Sequence, residues 1–205
     1  MRRYAVKEIF KTIQGEGHQA GSVAVFLRFA GCNLWSGREE DRQSAICRFC
    51  DTDFFKPAYK YTCEELVAEV VKEWGSSIEN RLVVITGGEP TLQCDTQLVG
   101  ALRACGFRVA VETNGTVQPQ CDFDWVCVSP KYGSELVLTV GDELKVVVPQ
   151  PFDFKQLRNL KFKHFFVQPM DGLQIKENTE TAINFCLSNP EWRLSIQVHK
   201  LVGLR

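Results

Sequence analysis

The apolar run Leu82-Val83-Val84-Ile85-Thr86, stopped by Gly87-Gly88-Glu89-Pro90, limits the possible folds more than any other stretch. It shows no polar alternation, so it needs cover on both faces, the condition of a strand inside a parallel sheet. Parallel neighbours require crossovers, and both flanks supply one. Upstream, Thr62-Cys63-Glu64-Glu65 is a capping box that opens a helix with Leu66, Val67, Val70, Val71 and Trp74 on one face, ended by Gly75. Downstream, Leu98, Ala101, Leu102 and Cys105 mark a second helix over about 95–105. Further strands are expected at 4–10, 23–29, 107–112, 125–128, 144–148, 164–167 and 194–198, with short helices at 152–159 and 179–187. Alternation of this kind predicts one α/β domain over residues 1–205 with a largely parallel sheet.

Polar or glycine-rich signatures stand at the carboxyl ends of these strands: AGC at 30–32, TGGEP at 86–90, ETNG at 112–115, SPK at 129–131 and QPMD at 168–171. In parallel α/β sheets that edge is where ligands bind. The first signature opens a loop over about 30–56 that carries Cys32, Cys47 and Cys50, spaced C-x14-C-x2-C. A structural zinc site takes four closed protein ligands, whereas three leave a position open. Iron–sulfur clusters are also held by thiolates, so zinc and iron–sulfur both stand at this point. The polar stretch Gly37-Arg38-Glu39-Glu40-Asp41-Arg42 reads as a solvated excursion closed at its base by a bound group. Its charges either face solvent or dock a partner, and structural closure of the metal site is the expected role.

Composition excludes several classes. A formal charge of −1 over 205 residues argues against a nucleic-acid partner held by phosphate contacts. No apolar run approaches the roughly 20 residues of a membrane span, and MRRYAVKEIF does not read as a signal peptide, so a cytoplasmic location is expected. Nine cysteines is an odd number in a chain of this size, which argues against a disulfide framework. The six outside the loop are expected to be buried or surface thiols that bind no metal. His18, His164 and His199 are dispersed and expected to be structural or surface residues. Arg28 interrupts an apolar strand: it is either a surface residue of an edge strand or a clamp aimed at a carboxylate. Ile13-Gln14-Gly15 is either a simple turn or part of a site, and Glu112 either a site acid or a loop cap.

The ordered set IQGEG, RFAGCNLW, CRFCDTDF, TGGEP, ETNG, SPK, QPMD and WRLSIQVHK resembles the radical S-adenosylmethionine (SAM) enzymes, and among them the 7-carboxy-7-deazaguanine synthase family, over essentially the whole chain. The superfamily's usual spacing is C-x3-C-x2-C; the longer first gap is similar to one branch of this family. The resemblance implies an abbreviated, open partial (β/α) barrel with about six mainly parallel strands and some helices shortened, especially after Gly115, because a full eight-unit barrel takes about 250 residues. It implies that Cys32, Cys47 and Cys50 hold a 4Fe-4S cluster whose free iron is chelated by SAM. Phe49, Cys50, Asp51, Gly88 and Glu89 would meet SAM, the Glu89 side chain facing its amino group. Ser129, Pro130, Lys131, Gln168, Pro169, Met170 and Asp171 would complete that site.

The implied substrate is 6-carboxy-5,6,7,8-tetrahydropterin, met by Ile13, Gln14, Gly15, Arg28, Thr86 and the terminal carboxylate of Arg205, with Mg2+ at Thr52. A 5′-deoxyadenosyl radical would take hydrogen from C6, the ring would contract and ammonia would leave, giving 7-carboxy-7-deazaguanine for queuosine synthesis. A homodimer and a reduced electron-donor protein such as a flavodoxin are implied partners. The competing expectations are another small radical SAM enzyme, such as a glycyl-radical activase, and a zinc-stabilised binding module.

Overall fold

The computed structural model describes residues 2–204; the Arg205 expectation lies outside them. Nine strands form one sheet: β1 (Tyr4–Ile13), β2 (Val23–Phe29), β3 (Tyr59–Tyr61), β4 (Leu82–Gly87), β5 (Arg108–Thr113), β6 (Trp125–Val128), β7 (Val140–Val148), β8 (Lys161–Pro169) and β9 (Arg193–Leu194), in the spatial order β3-β1-β2-β4-β5-β6-β7-β8-β9. From β2 to β9 every pairing is parallel, while β1 runs antiparallel to β2 and β3. The sheet does not close on itself, so this is an open partial barrel. Six of its parallel strands have four residues or more; the antiparallel β3-β1 ribbon and the two-residue β9 extend it at the two edges.

Helices α1 (Cys63–Trp74), α2 (Thr96–Ala104), α3 (Phe154–Arg158), α4 (Ile175–Ser188) and α5 (Val198–Leu201) are unevenly distributed. Neither the β5–β6 nor the β6–β7 connection contains a helix. Thr62 caps α1 as its sequence requires: its hydroxyl accepts from Glu65 N at 3.3 Å, and Glu65 accepts from Thr62 N at 2.7 Å. Leu66, Val70, Leu98 and Leu102 then bury against Val25, Leu27, Val83, Ile85 and Val109. A second core joins Leu144, Val146, Phe165 and Val167 to Leu157, Ala182 and Trp192. Burying each such side chain contributes about 1.5–3 kcal/mol. Both cores take alternate residues of the strands. The opposite pleat presents Arg28, Thr86, Glu112, Lys145 and Gln168 toward the carboxyl ends of the strands, above a small apolar cluster of Ala24, Leu82, Val84 and Ala110.

Three expectations need correction. The strand expected over 194–198 ends at Leu194, and 198–201 is helical. The chain turns inward there because the Ser195 hydroxyl donates to Gln168 Oε1 and accepts from Gly17 N, both at 2.9 Å. Arg28 is not on an edge strand, since β2 lies between β1 and β4. Two of the histidines are not dispersed: His18 stacks on His164 at 4.1 Å between centroids and on Trp125 at 5.0 Å. No helix among the described residues is long and apolar enough to cross a membrane.

Candidate active site

A cavity of about 440 Å³ opens on the concave face at the carboxyl ends of the parallel strands. Cys32, Cys47 and Cys50 line one side of it, brought in by the loop that follows β2. None is in a disulfide. Interaction between the neighbouring Cys47 and Cys50 thiols lowers Cys50 and raises Cys47, and burial raises Cys32. Among the described residues, no three His, Cys, Asp or Glu side chains are gathered closely enough to hold a single metal ion. Three thiols on one wall are a donor set that an iron–sulfur cluster takes, with one iron left for a ligand that is not protein.

The backbone of TGGEP forms the adjoining wall. A Cβ on Gly88 would run into the Gly31 carbonyl oxygen and the Cys32 Cβ, and one on Gly87 into Phe29 O. Only glycine allows this approach, which sets the β4 loop directly against the first thiol. Glu89 departs from its expected role. It is 0% exposed, and its carboxylate accepts from Thr91 N at 3.1 Å, Thr91 Oγ1 at 2.7 Å, Thr113 Oγ1 at 2.6 Å and Asn114 N at 2.7 Å. It locks TGGEP to ETNG and does not line the cavity.

Pro130 and Met170 are also absent from the lining. Pro130 is buried, and Met170 is fixed through its backbone: its N–H donates to Val148 O, and its carbonyl accepts from Asn178. Phe49, Asp51, Thr52, Ser129, Lys131, Gln168, Pro169 and Asp171 do line it, as do Ile13, Gln14, Gly15, Arg28, Thr86 and Glu112. Lys131 is drawn back toward its own strand end, donating to the Ser129 carbonyl at 2.6 Å and hydroxyl at 2.9 Å.

The floor is an ion layer. Lys145, its side chain 4% exposed, donates to Glu16 at 2.7 Å and to Glu112 at 3.0 Å. Gln14 Nε2 donates to the other Glu112 oxygen at 3.3 Å, and Gln197 to Glu16 at 2.8 Å. Burial works to raise Glu16, but the Lys145 charge and hydrogen bond outweigh it and hold the carboxyl at about 2. Burial likewise works against the Lys145 charge, yet Cys127, Glu112, Glu16 and Glu143 together keep its pKa well above the ordinary value. Arg28 Nε donates to Glu8 Oε1 at 2.7 Å, its register partner on β1, so the guanidinium is held in the wall.

Beneath the floor, Glu143 accepts from His18 N at 3.1 Å while its Oε1 and the side-chain amide of Gln19 have no partner. Burial, with Glu112 nearby, pushes Glu143 up to about 7 from 4.5, against the pull of Lys145. The native state therefore holds a proton that the unfolded chain has released between those values, and stability falls as pH rises through the window. Glu143→Gln should remove this slope: urea unfolding at pH 8 is expected to show a gain of about 2–3 kcal/mol, shrinking to nothing below pH 4.5. Equal gains at both pH values would mean that the proton is not the cause.

The cavity is covered from the far end of the chain. Val198 N donates to Gly15 O, Lys200 Nζ bonds Asp51 at 2.6 Å and Asp171 at 2.5 Å, and His199 packs against Gly15. Glu16, Lys145, Gln197 and Lys200 escaped the sequence reading, and His199, expected to be a structural or surface residue, lines the cavity. For Lys145 the signal was present: like Arg28, it is a charge set among apolar residues of a strand, here Leu144 and Val146–Val148.

No family model matches the chain. It is 54% identical to a 7-carboxy-7-deazaguanine synthase of Bradyrhizobium diazoefficiens, over 98% of this chain and 99% of that protein. It is 53% identical to proteins of the same name from Caulobacter vibrioides and Burkholderia multivorans, with the same 98% and 99% coverage. Among solved structures it is similar to QueE from Escherichia coli, with a TM-score of 0.73 and 26% identity over 95% of this chain and 94% of that one.

Proposed function

Since the chain belongs to the 7-carboxy-7-deazaguanine synthase family, we propose that its cavity is the site where 6-carboxy-5,6,7,8-tetrahydropterin is converted to 7-carboxy-7-deazaguanine and ammonia, with residues 1–205 acting as one domain. The chain is an enzyme of queuosine biosynthesis, and its family implies radical SAM chemistry with a 4Fe-4S cluster. Cys32, Cys47 and Cys50 would hold the cluster, and the Gly88 backbone, Asp51, Ser129, Lys131, Gln168 and Asp171 would meet SAM. Bound there, the two groups supply a one-electron reduction and a hydrogen-abstracting radical.

The protein's share is positioning and exclusion of water. Arg28, fixed by Glu8, suits a substrate carboxylate by charge and by its planar fork. Glu112, oriented by Lys145 and Gln14, presents acceptors to ring N–H groups, and Thr86 a hydroxyl. Residues 197–200 close the cavity over them. Mg2+ at Thr52, completed by substrate oxygens and water, belongs to the same reading. So do a homodimer pairing the open sheet edges, a reduced donor such as a flavodoxin, and a cytoplasmic setting.

The observation that carries this reading is that three thiols and a salt-bridged carboxylate floor share one cavity. Anaerobic turnover with SAM, dithionite and the carboxypterin tests it. Formation of the deazaguanine is expected; SAM consumption without that product would reject the substrate assignment.

A further inference from the structure

The insertion between Cys32 and Cys47 is closed at its base by the protein itself: the Ile46 and Cys47 amides donate to Leu34 O at 3.1 and 3.5 Å. A bound group is therefore not needed to close it. Its charges are largely paired within the loop, Arg38 with Glu40 at 3.5 Å and Arg42 with Glu39 at 2.8 Å. One of them does more. Arg42 lies in the 3-10 turn over Glu39–Ser44, and its Nη1 donates to the carbonyls of Arg48 at 2.8 Å and Cys50 at 3.2 Å. The same guanidinium lies 4.1 Å over the ring of Trp35. Trp35 is 8% exposed, donates to Arg38 O at 3.0 Å and meets the buried Phe54 edge-on.

One side chain thus touches both flanks of the thiol set, three residues after Cys32 and on Cys50 itself. We propose that Arg42 is a positioning residue for the iron–sulfur cluster, pinning the Cys50 backbone to the Trp35 face and serving as the tether that a shorter gap would supply covalently. The inference rests on the reading that these cysteines hold a cluster. Two carbonyls two residues apart, bound to one nitrogen, fix the turn that aims the last thiol. A charged donor makes such bonds stronger than neutral ones, and the stacked plane holds the fork in register. A surface arginine paired only with Glu39 would contribute little. The guanidinium also brings a fixed positive charge to the ligand loop, which favours the more negative, reduced state of whatever the thiolates hold.

The test uses the full chain reconstituted anaerobically, as wild type, Arg42→Gln and Arg42→Lys. Iron release to a chelator and the cluster's midpoint potential are measured, with circular dichroism as the check on folding. Arg42→Gln is expected to release iron roughly 10- to 100-fold faster and to show a more negative potential at unchanged circular dichroism. Arg42→Lys keeps the charge but not the fork, so it should hold the potential nearer wild type while releasing iron at an intermediate rate. Wild-type release and potential in Arg42→Gln would overturn the inference alone. A wild-type chain that assembles no cluster would overturn the functional reading and this inference with it.

Discussion

Lys145→Met is expected to cost about 3–5 kcal/mol of folding stability at neutral pH, because it keeps the volume and removes the one cation between two carboxylates. Lys145 is 3% exposed and bonds both Glu16 and Glu112, which keep only a fifth or so of their surface toward the cavity, so water can replace it in part. The cost should depend on pH with a definite sign. Glu16 is held at about 2 against an ordinary 4.5, so its contribution is full above pH 4.5 and is lost as pH falls toward 2. Without Lys145, burial remains and pushes the carboxyl upward. Urea unfolding should therefore show the largest difference from wild type above about pH 5, narrowing toward pH 3. A deficit independent of pH would indicate lost packing instead. Turnover should fall with it, since Glu112 loses the partner that aims it.

Gly88→Ala is expected to abolish cluster assembly and turnover while leaving the helices intact. The new methyl group meets a carbonyl oxygen and a Cβ of the loop that carries the first thiol. Neither obstacle is the free end of a flexible side chain, so the β4 loop or the Cys32 loop must move. Iron and sulfide content after reconstitution, alongside far-ultraviolet circular dichroism, measures both halves of this expectation. Gly100 is the matched control: it lies within α2 with nothing near its added Cβ, so Gly100→Ala should stabilise by about 0.5–1 kcal/mol and leave iron content unchanged. Iron loading of Gly88→Ala at the wild-type level would refute the steric account.

Much of the framework was legible because it is local. The Thr62–Glu65 box and the unbroken run at 82–86 specify their own elements, and glycine signatures at strand ends pointed to the ligand rim. The three-residue β3 was invisible because it is too short for any period and exists only through pairing with β1. The C-terminal strand was misjudged because Ser195 answers to Gln168 and Gly17, partners that no local pattern reveals. Glu89 illustrates the same limit at the site. A conspicuous acid beside two glycines invites a ligand, yet four donors from two loops consume its oxygens. Lys145 was readable by the criterion applied to Arg28, a charge that a buried strand retains only when something opposite needs it.

The cover over the cavity is also the part of the fold that spans the most sequence. Gln197 reaches Glu16 across 181 positions of sequence, and Ser195 reaches Gly17 across 178. Such contacts close the longest loops in the molecule and recover least for the chain entropy they remove. The α1 and α2 crossovers, by contrast, bury their faces against strands close by in sequence. The cover over residues 13–16 thus hangs on the contacts most distant in sequence, whereas the glycine wall rests on strands and helices that are neighbours along the chain.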